Sequence, residues 1–148
     1  MTQDKKQLLL QDLCARLPYG VKAYVKNWSK LDRKYYEDIY DVKSVFPSLN
    51  EVHVQSENGS LDVLLGHVDY KIKPYLFPLS SMTEEQKREY NFWKHEVFIC
   101  HYEYGDVVEE IELYDSPESF EYLIENHFDY RGLIPKGLAI DATGKNIY

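Results

Sequence analysis

The residues nearest to a reactive pattern are His95, His101, Glu103 and Cys100. On a strand, His101 and Glu103 share one face, because side chains two apart point the same way. A metal centre would need three or four such groups converging on one ion at about 2.0–2.2 Å. The chain has no HExxH, no HxH and no cysteine in register, so an ordinary strand histidine is expected there. Cys100 and His101 could suggest a thiolate and its base. Adjacent strand residues point to opposite faces, so they cannot hydrogen-bond without a bulge.

Ser80 and Ser81 precede a helix start, as nucleophile elbows do, yet no GxSxG surrounds them and they read as turn residues. The glycines at 59, 105, 132, 137 and 144 are scattered turn positions with no phosphate-cradling loop among them. Asp129, Arg131 and Asp141 could form a small site, and a structural ion pair holding down the tail is the favoured reading. No catalytic residue, metal or cofactor is assigned.

Charge is distributed more informatively. Between Glu96 and Asn126 stand ten carboxylates and no Lys or Arg, whereas residues 1–48 carry nine basic and six acidic side chains. The formal charge of −8 is therefore concentrated in one segment. One reading is a solvated face that also guards an edge strand against aggregation. The other is an acidic docking face for a basic protein, with Glu103, Asp106, Glu109, Glu110, Glu112 and Asp115 as its contact residues. Direct nucleic-acid binding is disfavoured, since phosphates would be repelled.

The elements that must position these groups follow from periodicity and punctuation. A first helix is expected from about Asp4 to Leu17, capped by Asp4, with Leu9, Leu10, Leu13, Cys14 and Leu17 as its apolar stripe and Pro18 as its stop. Val21, Ala23 and Val25 alternate with Lys22, Tyr24 and Lys26 as in a half-buried strand. Residues 29–36 read as a loop and Ile39–Val45 as a strand. Val52 and Val54 against Leu61, Val63 and Leu65 suggest a hairpin with a primed turn at Asn58-Gly59. Val68, Tyr70 and Ile72 continue the period after Gly66.

The stretch Ile72–Tyr90 then connects the two halves. It crosses Pro74 and Pro78 and enters a helix over roughly 84–94, capped by Thr83 with Gln86 three residues on. Val97–Tyr104 and Val107–Tyr114 form a second hairpin around Gly105-Asp106, which suits a II′ turn. Ser116, Pro117 and Glu118 start a last helix whose inner stripe is Phe120, Leu123, Ile124 and His127. Leu138–Ala142 can pair as a final strand. No repeat, low-complexity tract or long linker divides the chain, so one domain over residues 1–148 is expected.

At 148 residues the chain is long enough to bury a core without staples. Fourteen tyrosines point to a thin, partly wet core or an aromatic-rich interface. Cys14 and Cys100 lie far apart and are expected as free, buried thiols in a reducing compartment. MTQDKK and the run Leu8–Leu10 hold no signal-peptide core or membrane span. A cytoplasmic location without membrane association is therefore expected, and the sequons NWS (27–29) and NGS (58–60) carry no weight.

Three blocks carry a resemblance: LLLQDLCARLPYGV at 8–21, IKPYLFPLSSMTEEQ at 72–86 and NHFDYRGLIPKGLAIDA at 126–142. They resemble a family of small uncharacterised proteins that recurs in gut anaerobic bacteria and in their phages and mobile elements. The blocks cover about a third of the chain, and the segments 28–50 and 100–118 look particular to this member. The resemblance implies a cytoplasmic, phage-linked accessory protein and supplies no catalytic residues.

The sequence thus predicts a single α+β domain, with mostly antiparallel sheet, three helices and a first half curled into a small barrel. Its expected function is non-catalytic interaction through an acidic docking face. The alternative is a small hydrolase whose site assembles only in three dimensions, recognisable by a cleft with convergent, perturbed His or carboxylate groups.

Overall fold

Helix α1 (Gln3–Arg16) crosses the inner face of a six-stranded sheet, in a computed structural model that describes residues 1–148. The strands are β1 (Lys22–Ser29), β2 (Lys34–Phe46), β3 (Glu51–Ser56), β4 (Gly59–Leu64), β5 (Tyr70–Leu76) and β8 (Ile140–Asp141), in the order β4-β3-β2-β1-β5-β8. All neighbours are antiparallel except the β5–β8 pair, where Tyr75 meets Ile140. Between β5 and β8 in sequence come α2 (Glu84–Phe92), the hairpin β6 (His95–Glu103) and β7 (Asp106–Tyr114), and α3 (Pro117–Glu125). The architecture is α+β, in one domain.

Alternation explains the main core. Ala23 and Val25 of β1, Val52 and Val54 of β3, Val63 of β4 and Ile72 of β5 all face Leu9, Leu10 and Leu13 of α1. The sheet is open, which corrects the expected barrel: β4 pairs only with β3 and stays unbonded to β5. A second cluster, Leu76, Leu133, Leu138 and Ala139, seals the β5 end. A third, Met82, Tyr122, Leu123 and Phe128, joins α3 to the connector after β5.

Caps decide most boundaries. Thr83 caps α2 with the full capping box to Gln86, as its sequence dictates. Ser116 caps α3, but its reciprocal partner at the third position is Ser119. On α1 the cap is Thr2, whose hydroxyl accepts from Lys5 N, and Asp4 lies within the first turn. An aspartate there still favours the helix through the dipole, which is why it imitates a cap in the sequence.

Several other expectations are corrected. Residues 29–36 hold only a short turn, because β1 runs to Ser29 and β2 begins at Lys34, giving β2 thirteen residues with a register shift between Val42 and Ser44. The β3–β4 turn is Glu57-Asn58, and the positive φ falls on Gly59, already paired with Ser56. The β6–β7 turn is Tyr104-Gly105, both with positive φ, as a I′ turn requires; Asp106 is the first residue of β7, paired with Glu103. On α3 the buried residues are Ser119, Tyr122 and Leu123, while Phe120 is exposed. Both cysteines are exposed. The final strand forms as expected, though only Ile140 and Asp141 pair.

Behind α3 lies a buried polar knot. Arg16, fully enclosed, donates to both oxygens of Asp12 at 2.8 and 3.1 Å and to the carbonyls of Phe128 (2.7 Å) and Ile124 (3.3 Å). Arg131 approaches the same Asp12 at 3.6 Å. His127 ends α3 in the left-handed conformation, with Phe128 N bonded to Leu123 O and His127 N to Ile124 O, a Schellman closure. Its ring stacks on Tyr148 at 3.7 Å, and burial holds it neutral, with a pKa lowered to about 4.

Candidate interaction surface

The β6–β7 hairpin is unlike the rest of the molecule. Nine residues of each strand pair without interruption from His95↔Tyr114 to Glu103↔Asp106, and none of the eighteen is buried. At about 3.3 Å per residue the ribbon reaches roughly 30 Å from the helices that carry it. It is anchored at its base. Trp93 O accepts from the Ser116 hydroxyl, and Tyr90 donates to Asp115.

Register assigns every side chain to one of two faces. One face carries Val97, Ile99, His101, Glu103, Asp106, Val108, Glu110 and Glu112, closed at the base by His95 and Tyr114. The opposite face carries Phe98, Cys100, Tyr102, Val107, Ile111 and Leu113, with Glu96 and Glu109 as its only charges.

The six carboxylates singled out in the sequence are therefore not one surface. Glu103, Asp106, Glu110 and Glu112 share the acidic face. Glu109 stands on the apolar one, opposite Cys100. Asp115 lies beyond the ribbon and is structural, accepting from Tyr90 and from the Ser119 hydroxyl. Burial, and then that bond to Asp115, push the Tyr90 hydroxyl pKa well above its usual range. Glu112 accepts from Tyr114, which raises the Tyr114 pKa in the same direction. Glu103 lies 3.9 Å from His101, and no other cation comes within ion-pair distance of these four acids.

The apolar face is the feature that sequence reasoning missed. Alternation on both strands was visible, but alternation says only that two faces differ, and each could have been covered by the domain. Here neither is.

The other candidates fall apart in space. Cys100 and His101 point to opposite faces. The Ser81 hydroxyl donates to Pro78 O, closing a turn. Asp129 accepts from Leu133 N and Ile134 N at 2.7 and 2.8 Å, Asp141 accepts from Thr143 N, and Arg131 turns to Asp12. The expected ion pair within the tail is thus replaced by backbone caps and by a link to α1. No three His, Cys, Asp or Glu residues are grouped as a metal site would require, and no helix is long and apolar enough to cross a membrane.

The largest cleft, of about 610 Å³, lies between β4 and β5, lined in part by Val63, Leu65, Tyr70 and Ile72 with Lys26, Lys71 and Lys73 at its margin. Lys26 is spent on Glu37 at 2.9 Å. His67, also in the cleft, keeps company only with Asp69 and Tyr70. Comparison with protein-family models, curated proteins and solved structures finds no match to this chain.

Proposed function

We propose that this protein is a non-catalytic interaction protein that docks a basic protein partner on the acidic face of its β6–β7 ribbon. The observation that carries this reading is the ribbon itself. It is a projecting pair of strands with Glu103, Asp106, Glu110 and Glu112 on one face and only His101 near them as a counter-charge. Exposed carboxylates with no Lys or Arg beside them keep their field for an incoming cation, and such charges act chiefly by steering encounter. The residues flanking them on this face, Ile99 and Val108, are half-buried and supply an apolar floor.

The test is capture from a lysate of the native host by the immobilised chain, with Glu103, Glu110 and Glu112 replaced together by Gln in the control. The reading expects a basic protein retained by the natural chain and lost by the variant, with an association rate that falls steeply with salt. Equal capture by both chains overturns it.

A further inference from the structure

The opposite face of the ribbon needs its own occupant, and we infer that it is the same face of a second copy, the two ribbons stacked antiparallel in a two-fold dimer. The inference is independent of the docking proposal above, since it concerns the other set of side chains.

Phe98 is 72% exposed, Tyr102 82%, Ile111 59% and Val107 58%, and with Leu113 they share one face, with the Cys100–Glu109 pair between Phe98–Ile111 and Tyr102–Val107. An aromatic side chain brings about 150–250 Å² to an interface, so the strip offers on the order of 600 Å² of apolar surface. That approaches the roughly 800 Å² per partner of a standard stable interface before the stems of Glu96, Cys100 and Glu109 are added. An isolated two-stranded hairpin is marginal in water, so packing the strip supplies what the ribbon lacks alone.

A two-fold interface must be complementary to itself. Stacking β6 antiparallel on its counterpart, centred at Ile99, sets Tyr102 over Glu96 of the partner subunit and Phe98 over Cys100 of the partner subunit. The same operation on β7 sets Leu113 over Val107 of the partner subunit. It also sets Ile111 over Glu109 of the partner subunit, and the Tyr102 hydroxyl can donate to the carboxylate at the partner's base. The four carboxylates of the acidic face are turned outward, away from the seam. Each copy carries a formal charge of −8, and Glu96 and Glu109 of both copies face the seam, so the two copies repel one another and salt relieves the repulsion.

Sedimentation equilibrium of the full chain tests this. Expected is a dimer at tens of micromolar whose association strengthens several-fold from about 50 to about 500 mM NaCl, the opposite of the salt response of acidic-face docking. Phe98→Glu and Ile111→Glu should each weaken it at least about tenfold while leaving the circular dichroism spectrum of the folded chain unchanged, because both side chains are more than half exposed in the single chain. The Glu103, Glu110 and Glu112 to Gln variant should dimerise at least as well as the natural chain. A monomer up to roughly 100 µM in high salt overturns the inference, as does a dimer indifferent to both Glu substitutions. A monomer that loses its captured partner on Phe98→Glu also overturns it, by assigning the strip to a foreign protein.

Discussion

Replacing Asp12 by Ala should be among the most damaging single changes outside the apolar core. Arg16 is fully buried and spends two of its donors on Asp12, at 2.8 and 3.1 Å. Without the carboxylate, a guanidinium sits in a dry site with only the Phe128 and Ile124 carbonyls for company. Breaking one side of a buried ion pair costs about 3–5 kcal/mol, chiefly because the remaining charge is left uncompensated. Against a typical total of about 5–15 kcal/mol, that is about a fifth of the stability or more. With a urea slope near 2 kcal/mol per molar, the midpoint should fall by roughly 1.5–2.5 M.

The informative control removes both charges. Asp12→Leu with Arg16→Met should recover part of the loss, since an apolar pair of similar volume is often neutral in such sites, while the partly exposed Arg131 still loses its carboxylate. Tyr130 N and His127 N still donate to the two carbonyls that Arg16 would abandon. Urea unfolding followed by circular dichroism reads both variants. If Asp12→Ala costs less than about 1 kcal/mol, or the double variant is worse than the single one, the knot is not held together as argued.

Three further outcomes follow from the geometry. Leu123→Ala should cost about 2–5 kcal/mol through a cavity in the α3 cluster, and Ser116→Ala about 1–2 kcal/mol through the lost cap, both read from denaturant midpoints. His127 is held neutral in the fold down to about pH 4, against an ordinary value of 6.5, so the unfolded chain binds its proton first. Its contribution to stability is therefore full above about 6.5 and is lost as pH falls toward 4. His127→Asn, which tolerates the left-handed conformation, should flatten the melting temperature across that window. Replacing Glu103, Glu110 and Glu112 by Gln should leave the urea midpoint equal or slightly higher, because like charges are removed and no ion pair with Lys or Arg is lost.

What the sequence displayed well was local. Thr83 with Gln86, and Ser116 with Pro117, announce helix starts because the partners lie within four residues. Ala23 and the alternating valines at 25, 52, 54 and 63 announce a sheet face because period two needs no distant information. What it concealed was long-range. Asp12 and Arg16 at helical spacing look like an ordinary surface pair, and only the return of residues 124–128 buries them. Whether the first five strands close into a barrel depends on twist and on where β4 meets β5, which no residue type declares. The acidic segment was legible in composition and its two faces in the alternation, but which residues stand opposite one another required the register that Tyr104-Gly105 sets: a turn at Gly105-Asp106 would put Glu109 opposite Tyr102 instead of Cys100.

The closing parallel strand sets a schedule for synthesis. The first five strands and α1 are complete once Leu76 has left the ribosome, and each pairs with a neighbour already made. β5, however, waits for β8, and Leu76 waits for Leu133 and Leu138. At about 5–20 residues per second, the sixty-five residues from Phe77 to Asp141 take roughly 3–13 s to appear. For that interval the nascent chain presents β5 as an open edge beside an uncovered apolar cluster, while the ribbon, whose pairing is wholly local, has already emerged and folded ahead of the tail. A chaperone that binds strand edges would meet this chain at β5, and release would come with the tail.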